Sequence, residues 1–220
     1  MSTSTLAPSM SHRHRHGIRT VIAAVVVLIL IAAMALSTKV VKIGSSADTQ
    51  VQSFDPAAYG AKQFPKTQAA IEKRAVDATT LAAAIAKDQD AAGKQYGVAS
   101  GGVGPEMSVK FTGVVGADDG GVYTVKVPGV PDSLVVRVQT GPAINGTDLR
   151  DSTGTISFEQ FTNQIDYQNA GYAINAAMKK AVLSKVDTSK LTGKTISVVG
   201  VFQLINPNGW LVTPATLEVK

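Results

Sequence analysis

Hydrophobic and polar positions divide the chain into three stretches of different period. From Val21 to Leu36 the sequence VIAAVVVLILIAAMAL is apolar at sixteen consecutive positions, with Thr20, Ser37 and Thr38 tolerable at its ends. A helix of about 19 residues rises roughly 28 Å, close to the ~30 Å hydrocarbon core of a bilayer, so residues 20–38 are expected to form a transmembrane helix. From Pro65 to Ala92 the pattern turns amphipathic. Ile71, Ala75, Ala78, Ala82 and Ile85 recur at three- and four-residue steps with Lys, Glu and Asp between them, which predicts helix, and Gly93 and Gly97 are its stops. Beyond the SGGVGP joint the period becomes two. Met107–Val115, Val122–Val127, Leu134–Gln139, Thr195–Leu204 and Trp210–Val219 read as strands, turned at Asp118-Asp119-Gly120-Gly121, at Pro128–Asp132 and at Asn206–Gly209. A second helix from about Asn169, with Ile174, Met178, Ala181 and Val182 on one face, separates the third strand from the fourth.

Three strands, a helix and two strands is the order of the five-stranded OB barrel. The expected class is therefore α+β: an N-terminal transmembrane helix, one α-helix, then a five-stranded OB-like barrel or curved sheet with an inserted helix. A closed barrel and an open sheet capped by helices give the same string. The expected organisation is a basic cytoplasmic tail at 1–19, the membrane helix at 20–38, a tether at 39–62 and a globular domain at 63–220. That domain is expected to be helical over 63–97 and OB-like over 107–220. Phe54-Asp55-Pro56 breaks the small, polar tether and starts docking.

Charge sharpens this division. Residues 1–42 hold Arg13, Arg15, Arg19, Lys39 and Lys42 and no carboxylate, which leaves sixteen basic and sixteen acidic groups in residues 43–220. The basicity belongs to the anchor, and a neutral domain gives no electrostatic footprint for phosphates, which opposes a nucleic-acid partner. Positive charge ahead of the first hydrophobic segment orients the N-terminus to the cytoplasm and the domain outside it, at the bacterial inner membrane. The same charge suits an export signal, and Ala33-Met34-Ala35 has the small-x-small form of a cleavage site. Retention is favoured because the apolar run exceeds a usual signal core and Lys39 and Lys42 follow at once.

Composition removes much chemistry. There is no Cys, and His12, His14 and His16 all precede the hydrophobic run, so the domain holds neither residue type. Ser–His–Asp and Cys–His nucleophilic machinery is excluded, as are most zinc and transition-metal sites. The HRHRH alternation admits metal binding, and equally a positive tail flanking the membrane. No cofactor and no enzymatic activity are expected; aromatics at 5% leave little to line the cleft that carboxylate-pair glycoside hydrolysis needs.

The stretch from Thr140 to Asn175, TGPAINGTDLRDSTGTISFEQFTNQIDYQNAGYAIN, resembles the signature of a bacterial family of predicted periplasmic lipoproteins, domain of unknown function 2291. Its most specific parts are Gly146 through Gly154, Phe161-Thr162-Asn163 and Ile165-Asp166-Tyr167, closing on Asn175. The resemblance implies an accessory role in solute uptake beside sugar-type ABC importers, with importer subunits or a sugar-binding protein as partners. The chain departs from the family name, since without Cys it has no lipobox and the helix must tether it.

The same stretch carries the candidate site: Asn145, Asp148, Arg150, Asp151, Asn163, Asp166, Tyr167 and Asn175. These carboxylates and amides suit sugar hydroxyls, with Arg150 able to make a bidentate contact. Oxygen ligation of Ca²⁺ is a second reading, although the spacing Asp148–Asp151–Asp166 lacks a calcium-loop pattern. The third is a structural lock, with Arg150 paired to a carboxylate and the Asn and Asp side chains making turn and cap bonds. Phe158, Phe161, Tyr167 and Tyr172 form either a stacking platform or core packing. Trp210, beside a turn, is expected to be half exposed.

Overall fold

A computed structural model describes residues 12–38, 54–99, 101 and 103–220; of residues 12–18 and 20 it describes only the backbone. The chain divides into two units, Met1–Ser53 and Phe54–Lys220.

In the first unit, α1 (His12–Ser37) is a 26-residue helix. Its described residues, Arg19 and Val21 onward, are all exposed. The uninterrupted apolar part, Val21–Leu36, rises only about 24 Å. Among the described residues no helix is long and apolar enough to cross a membrane. The side chains of the HRHRH segment, and the segment after Thr38, lie outside the described residues.

The second unit starts nine residues before the expected boundary. The cause is local. The Asp55 side chain accepts from the Ala58 N–H, and Pro56 has φ pre-set for a first turn, so α2 (Pro56–Arg74) takes in residues assigned to the tether. The single helix expected over 65–92 is three. After α2 the chain is extended at β1 (Val76–Asp77), which runs parallel to part of β3 (Glu106–Asp119). Asp77 then caps α3 (Ala78–Lys87) and Asp88 caps α4 (Gln89–Tyr96). Each carboxylate accepts from a backbone N–H two or three residues on, so each restarts a helix where period alone shows continuity. A two-residue β2 (Gly97–Val98) pairs with the start of β3.

The barrel strands are β3, β4 (Val122–Lys126), β5 (Val135–Gln139), β6 (Thr195–Gln203) and β7 (Gly209–Val219). They run β3-β4-β5-β7-β6, and β6 returns to pair antiparallel with β3, which closes the sheet. β5 and β7 are parallel, with Val138 opposite Val212. The long β3 serves both sides: its first half pairs with β6 and its second with β4, across a bulge between Val115 and Asp118. Such a bend lets one strand turn a barrel corner. The sheet has seven strands rather than five because β1 and β2 add to β3. At the β3–β4 turn Gly121 holds φ +88° and its α-carbon lies so close to the Gly141 carbonyl that no side chain fits.

Val and Leu side chains of alternate strand positions fill the barrel with Phe111, Tyr123, Phe202 and Trp210. Trp210 is fully buried rather than half exposed, and its indole stacks on Phe202 at 4.5 Å. Proximity to a turn did not reveal which face of the strand it occupies. The inserted helix α6 (Gln164–Ala181) begins five residues before its expected start, because the Asn163 side chain caps it by accepting from the Asp166 N–H. It buries Ala170, Ile174 and Met178. α2 packs along α6 closely: a Cβ on Gly60 would lie 2.2 Å from the Ala173 carbonyl oxygen.

Candidate functional site

The loop after β5 leads into the single turn α5 (Asp148–Asp151). This turn and α6 bring the predicted polar residues into two clusters and leave one pair outside.

The first cluster centres on Arg150, whose side chain is 9% exposed. Its Nε donates to Asp151 Oδ1 at 2.7 Å and its Nη2 to Oδ2 at 3.0 Å, a bidentate pair between chain neighbours. Nη1 donates to the Tyr167 carbonyl at 3.2 Å, and the guanidinium carbon lies 3.7 Å from the centre of the Tyr167 ring. Thr147 Oγ1 donates to Asp151 Oδ2 at 2.6 Å. Arg150 thus spends a donor from each of its three nitrogens on the protein, and its planar face on an aromatic ring. Burial pushes the Tyr167 phenol up; the Asp151 charge adds to this and Arg150 opposes it.

An aromatic chain surrounds this pair. Phe54, Tyr59, Phe161, Tyr167 and Phe158 meet successively at 5.3–5.9 Å between ring centres, tilted or edge-on. From the sequence Phe54 is read as the start of docking and not as a neighbour of the site, and Tyr59 is not singled out; a Phe-Asp-Pro helix start followed by Tyr one turn on was the available signal. Phe161 and Tyr167 are half-buried, Phe158 is 46% exposed, and Tyr172 projects elsewhere at 61% exposure. No flat stacking platform results.

The second cluster lies around Gly146. Gln139, at the end of β5, is fastened to Asn145 twice through the backbone: its Nε2 donates to the Asn145 carbonyl and its Oε1 accepts from the Asn145 N–H. The same Nε2 donates to Thr213 Oγ1 at 2.9 Å, and Thr213 Oγ1 donates to Asp148 Oδ2 at 3.3 Å. Burial raises the Asp148 carboxyl to about 6, the Thr213 bond and its own backbone N–H opposing, the Asp151 charge adding. Asn175, 4% exposed, donates from Nδ2 to the Gly146 carbonyl at 3.0 Å, while its Oδ1 has no hydrogen-bond partner among the described residues. Gln139 and Thr213 escaped sequence reasoning because they are 74 residues apart; the parallel β5–β7 pairing makes them neighbours.

Asn163 and Asp166 belong to neither cluster. Asn163 Nδ2 donates to Asp166 Oδ2 at 3.0 Å, and the pair closes the N-terminus of α6. Among the described residues no group of three or more His, Asp or Glu side chains is placed to hold a metal ion. Arg150, Asp151 and Thr147 therefore make a lock among themselves, and Asn163 and Asp166 a separate helix cap. Asn175 Oδ1 and the partly buried Asp148 retain capacity, as does the side chain of the exposed Asn145, which Gln139 holds through its backbone.

A separate apolar groove of about 790 Å³ runs between α2 and α6, lined by Ala57, Ala61, Pro65, Tyr172, Ala176 and Lys180 among others.

A family model described as predicted periplasmic lipoprotein (DUF2291) matches residues 24–218. A crystal structure of an OB-fold protein from Thermotoga maritima MSB8 superposes with a TM-score of 0.61 at 20% identity, covering 77% of this chain and all of that one. No curated protein matches the chain. The structural likeness agrees with the closed barrel and, at this identity, carries the fold alone.

Proposed function

The chain belongs to the predicted periplasmic lipoprotein family DUF2291, and we propose that it is a membrane-tethered, non-enzymatic docking protein that serves a sugar-type ABC importer or its binding protein. Family membership supports an extracytoplasmic setting for the Phe54–Lys220 unit. These 220 residues contain no cysteine to carry a lipid, and in this reading the apolar helix α1 is the tether. Its sixteen apolar residues fall a few ångströms short of a bilayer core, a mismatch that local thinning and snorkelling of Arg19 relieve at modest cost. The arginines ahead of it keep that end cytoplasmic.

The observation that carries the reading is the closed polar lock. The residues best suited to grip a sugar, Arg150 and Asp151, bond to each other, to Thr147 and to the Tyr167 backbone. Releasing them to a ligand would leave a buried charge uncompensated, which is costly. A protein surface supported by this lock fits the geometry better than a solute pocket. Affinity capture from detergent-solubilised membranes tests the reading; importer subunits no more abundant than in a tether-only control would sink it.

One observation favours a second reading, a small-solute site beside Gly146: the buried Asn175 Oδ1 lacks a partner among the described residues, near a carboxyl held largely neutral below pH 6. A thermal-shift screen of sugars on the purified chain decides. A shift abolished by Asn175→Ala supports it, and no shift from any sugar removes it.

A further inference from the structure

The groove between α2 and α6 opens at the very start of the second unit, since Pro56 and Ala57 line it and that unit begins at Phe54. Its walls are apolar and small. Ala57, Ala61, Pro65 and Ala176 are exposed, and the Tyr172 ring stands 61% exposed at its side. Lys180 is the charged residue among its lining. An apolar floor edged by a tyrosine and a lysine is the chemistry of a membrane interface, where amphipathic tips reach headgroups and the body meets acyl chain.

Charge separates the helix pair from the rest of the unit. Residues 54–220 hold sixteen basic and fifteen acidic groups. α2 contributes Lys62, Lys66, Lys73 and Arg74 against Glu72, and α6 contributes Lys179 and Lys180 against Asp166. The two helices therefore carry net +4 and everything else in the unit net −3. Such a polarised module turns its helix pair toward an anionic surface.

Connectivity supplies the third strand of the argument. Only fifteen residues separate Thr38, the last described residue after α1, from Phe54. Fully extended they reach at most ~55 Å. If α1 is the tether, the groove never leaves the neighbourhood of a bilayer, and weak affinity suffices for docking because the effective concentration is high.

We propose that the α2–α6 groove is a docking face for anionic phospholipid, laying the helix pair on the outer surface of the bilayer and leaving the opposite side of the barrel for protein partners. This rests on the tether assigned above. The absence of native cysteine makes the test direct. Ala57→Cys and Ala176→Cys in the groove, and Asp132→Cys in the exposed turn after β4 as control, are labelled with an environment-sensitive fluorophore. The full chain is reconstituted in vesicles containing nitroxide-labelled lipid. In vesicles of mixed phosphatidylglycerol and phosphatidylcholine, both groove labels should be quenched several-fold more than the label at 132. The excess should fall in phosphatidylcholine alone or at high salt, and Lys180→Gln should reduce the docked population on the order of fivefold. Groove quenching no greater than at 132 overturns the proposal, as does protection of the groove labels only after a membrane protein fraction is added, which would make the occupant a protein. Alkaline extraction of the same vesicles reads the tether separately: extracted chain with groove quenching refutes the tether and keeps the docking face.

Discussion

Asp148 is a carboxyl the fold would rather hold neutral, and replacing it with asparagine should stabilise the protein at neutral pH. Its side chain accepts from Thr213 Oγ1 at 3.3 Å, yet burial outweighs that bond and raises it from 3.8 to about 6. Below about pH 3.8 the group is protonated whether the chain is folded or not, and it costs nothing. As pH rises through the folded value near 6, the folded state must carry a charge that the unfolded chain carries freely in water. Stability present at low pH is thus lost between about pH 4 and pH 6. The gap between the two values corresponds to a ceiling of about 3 kcal/mol, and partial solvation of the carboxyl brings the expected effect to about 1–3 kcal/mol. Asp148→Asn keeps the shape and removes the charge. Urea denaturation of residues 54–220 should show the variant more stable by that amount at pH 7, with the advantage vanishing by pH 4 and an unchanged m-value. Identical pH profiles for the two proteins would refute the buried-charge argument. A variant less stable at pH 7 would mean that the carboxylate is held by a favourable partner, which would revive the solute reading around Gly146.

Three further outcomes follow from the packing. Gly60→Ala should destabilise despite the better helix propensity of Ala, and Gly60→Val should cost about 2–3 kcal/mol, because a Cβ there meets the Ala173 carbonyl at 2.2 Å; a gain of about 1 kcal/mol for Ala in chemical denaturation would contradict the close helix approach. Trp210, the only tryptophan, should emit at the blue end of the indole range in the native protein, and Trp210→Ala should cost about 3–5 kcal/mol, since the ring is fully buried against Phe202; a solvated emission maximum would be incompatible with that packing. Arg150→Ala should cost about 3–5 kcal/mol by stranding Asp151, and a double-mutant cycle with Asp151→Asn should return a coupling above about 1 kcal/mol; additive effects would dissolve the lock.

The five barrel strands were legible because they alternate over five to fourteen residues between glycine-rich turns, whereas closure was not, since it rests on the β3–β6 pairing and period two is the same in an open sheet. What the pattern missed was decided by single side chains. Asp55, Asp77 and Asp88 each cap a helix, so one apparent helix became three and α2 starts at Pro56, inside the expected tether. The two-residue strands β1 and β2 are too short to have a period. Within the candidate site, pairing of Arg150 with a carboxylate was readable because an Arg fork suits that group, but not which carboxylate; the fold makes it Asp151. Asp166 was drawn into the same group by proximity in sequence, whereas the N-terminal geometry of α6 assigns it to Asn163. Gln139 and Thr213 depend on strand register, which leaves no trace in local sequence, and Phe54 and Tyr59 on a helix start whose Phe-Asp-Pro signal does not say where α2 packs.

The central claim, that a tethered unit outside the cytoplasm works by docking on an importer, is tested most directly by capture from membranes with three baits. These are the full chain, residues 1–53 alone, and the full chain carrying Asn175→Ala. The account predicts importer subunits enriched with the first and third baits and absent with the second, because the partner recognises the folded unit and not a solute held beside Gly146. Equal recovery with residues 1–53, or no importer subunit with any bait, would contradict it.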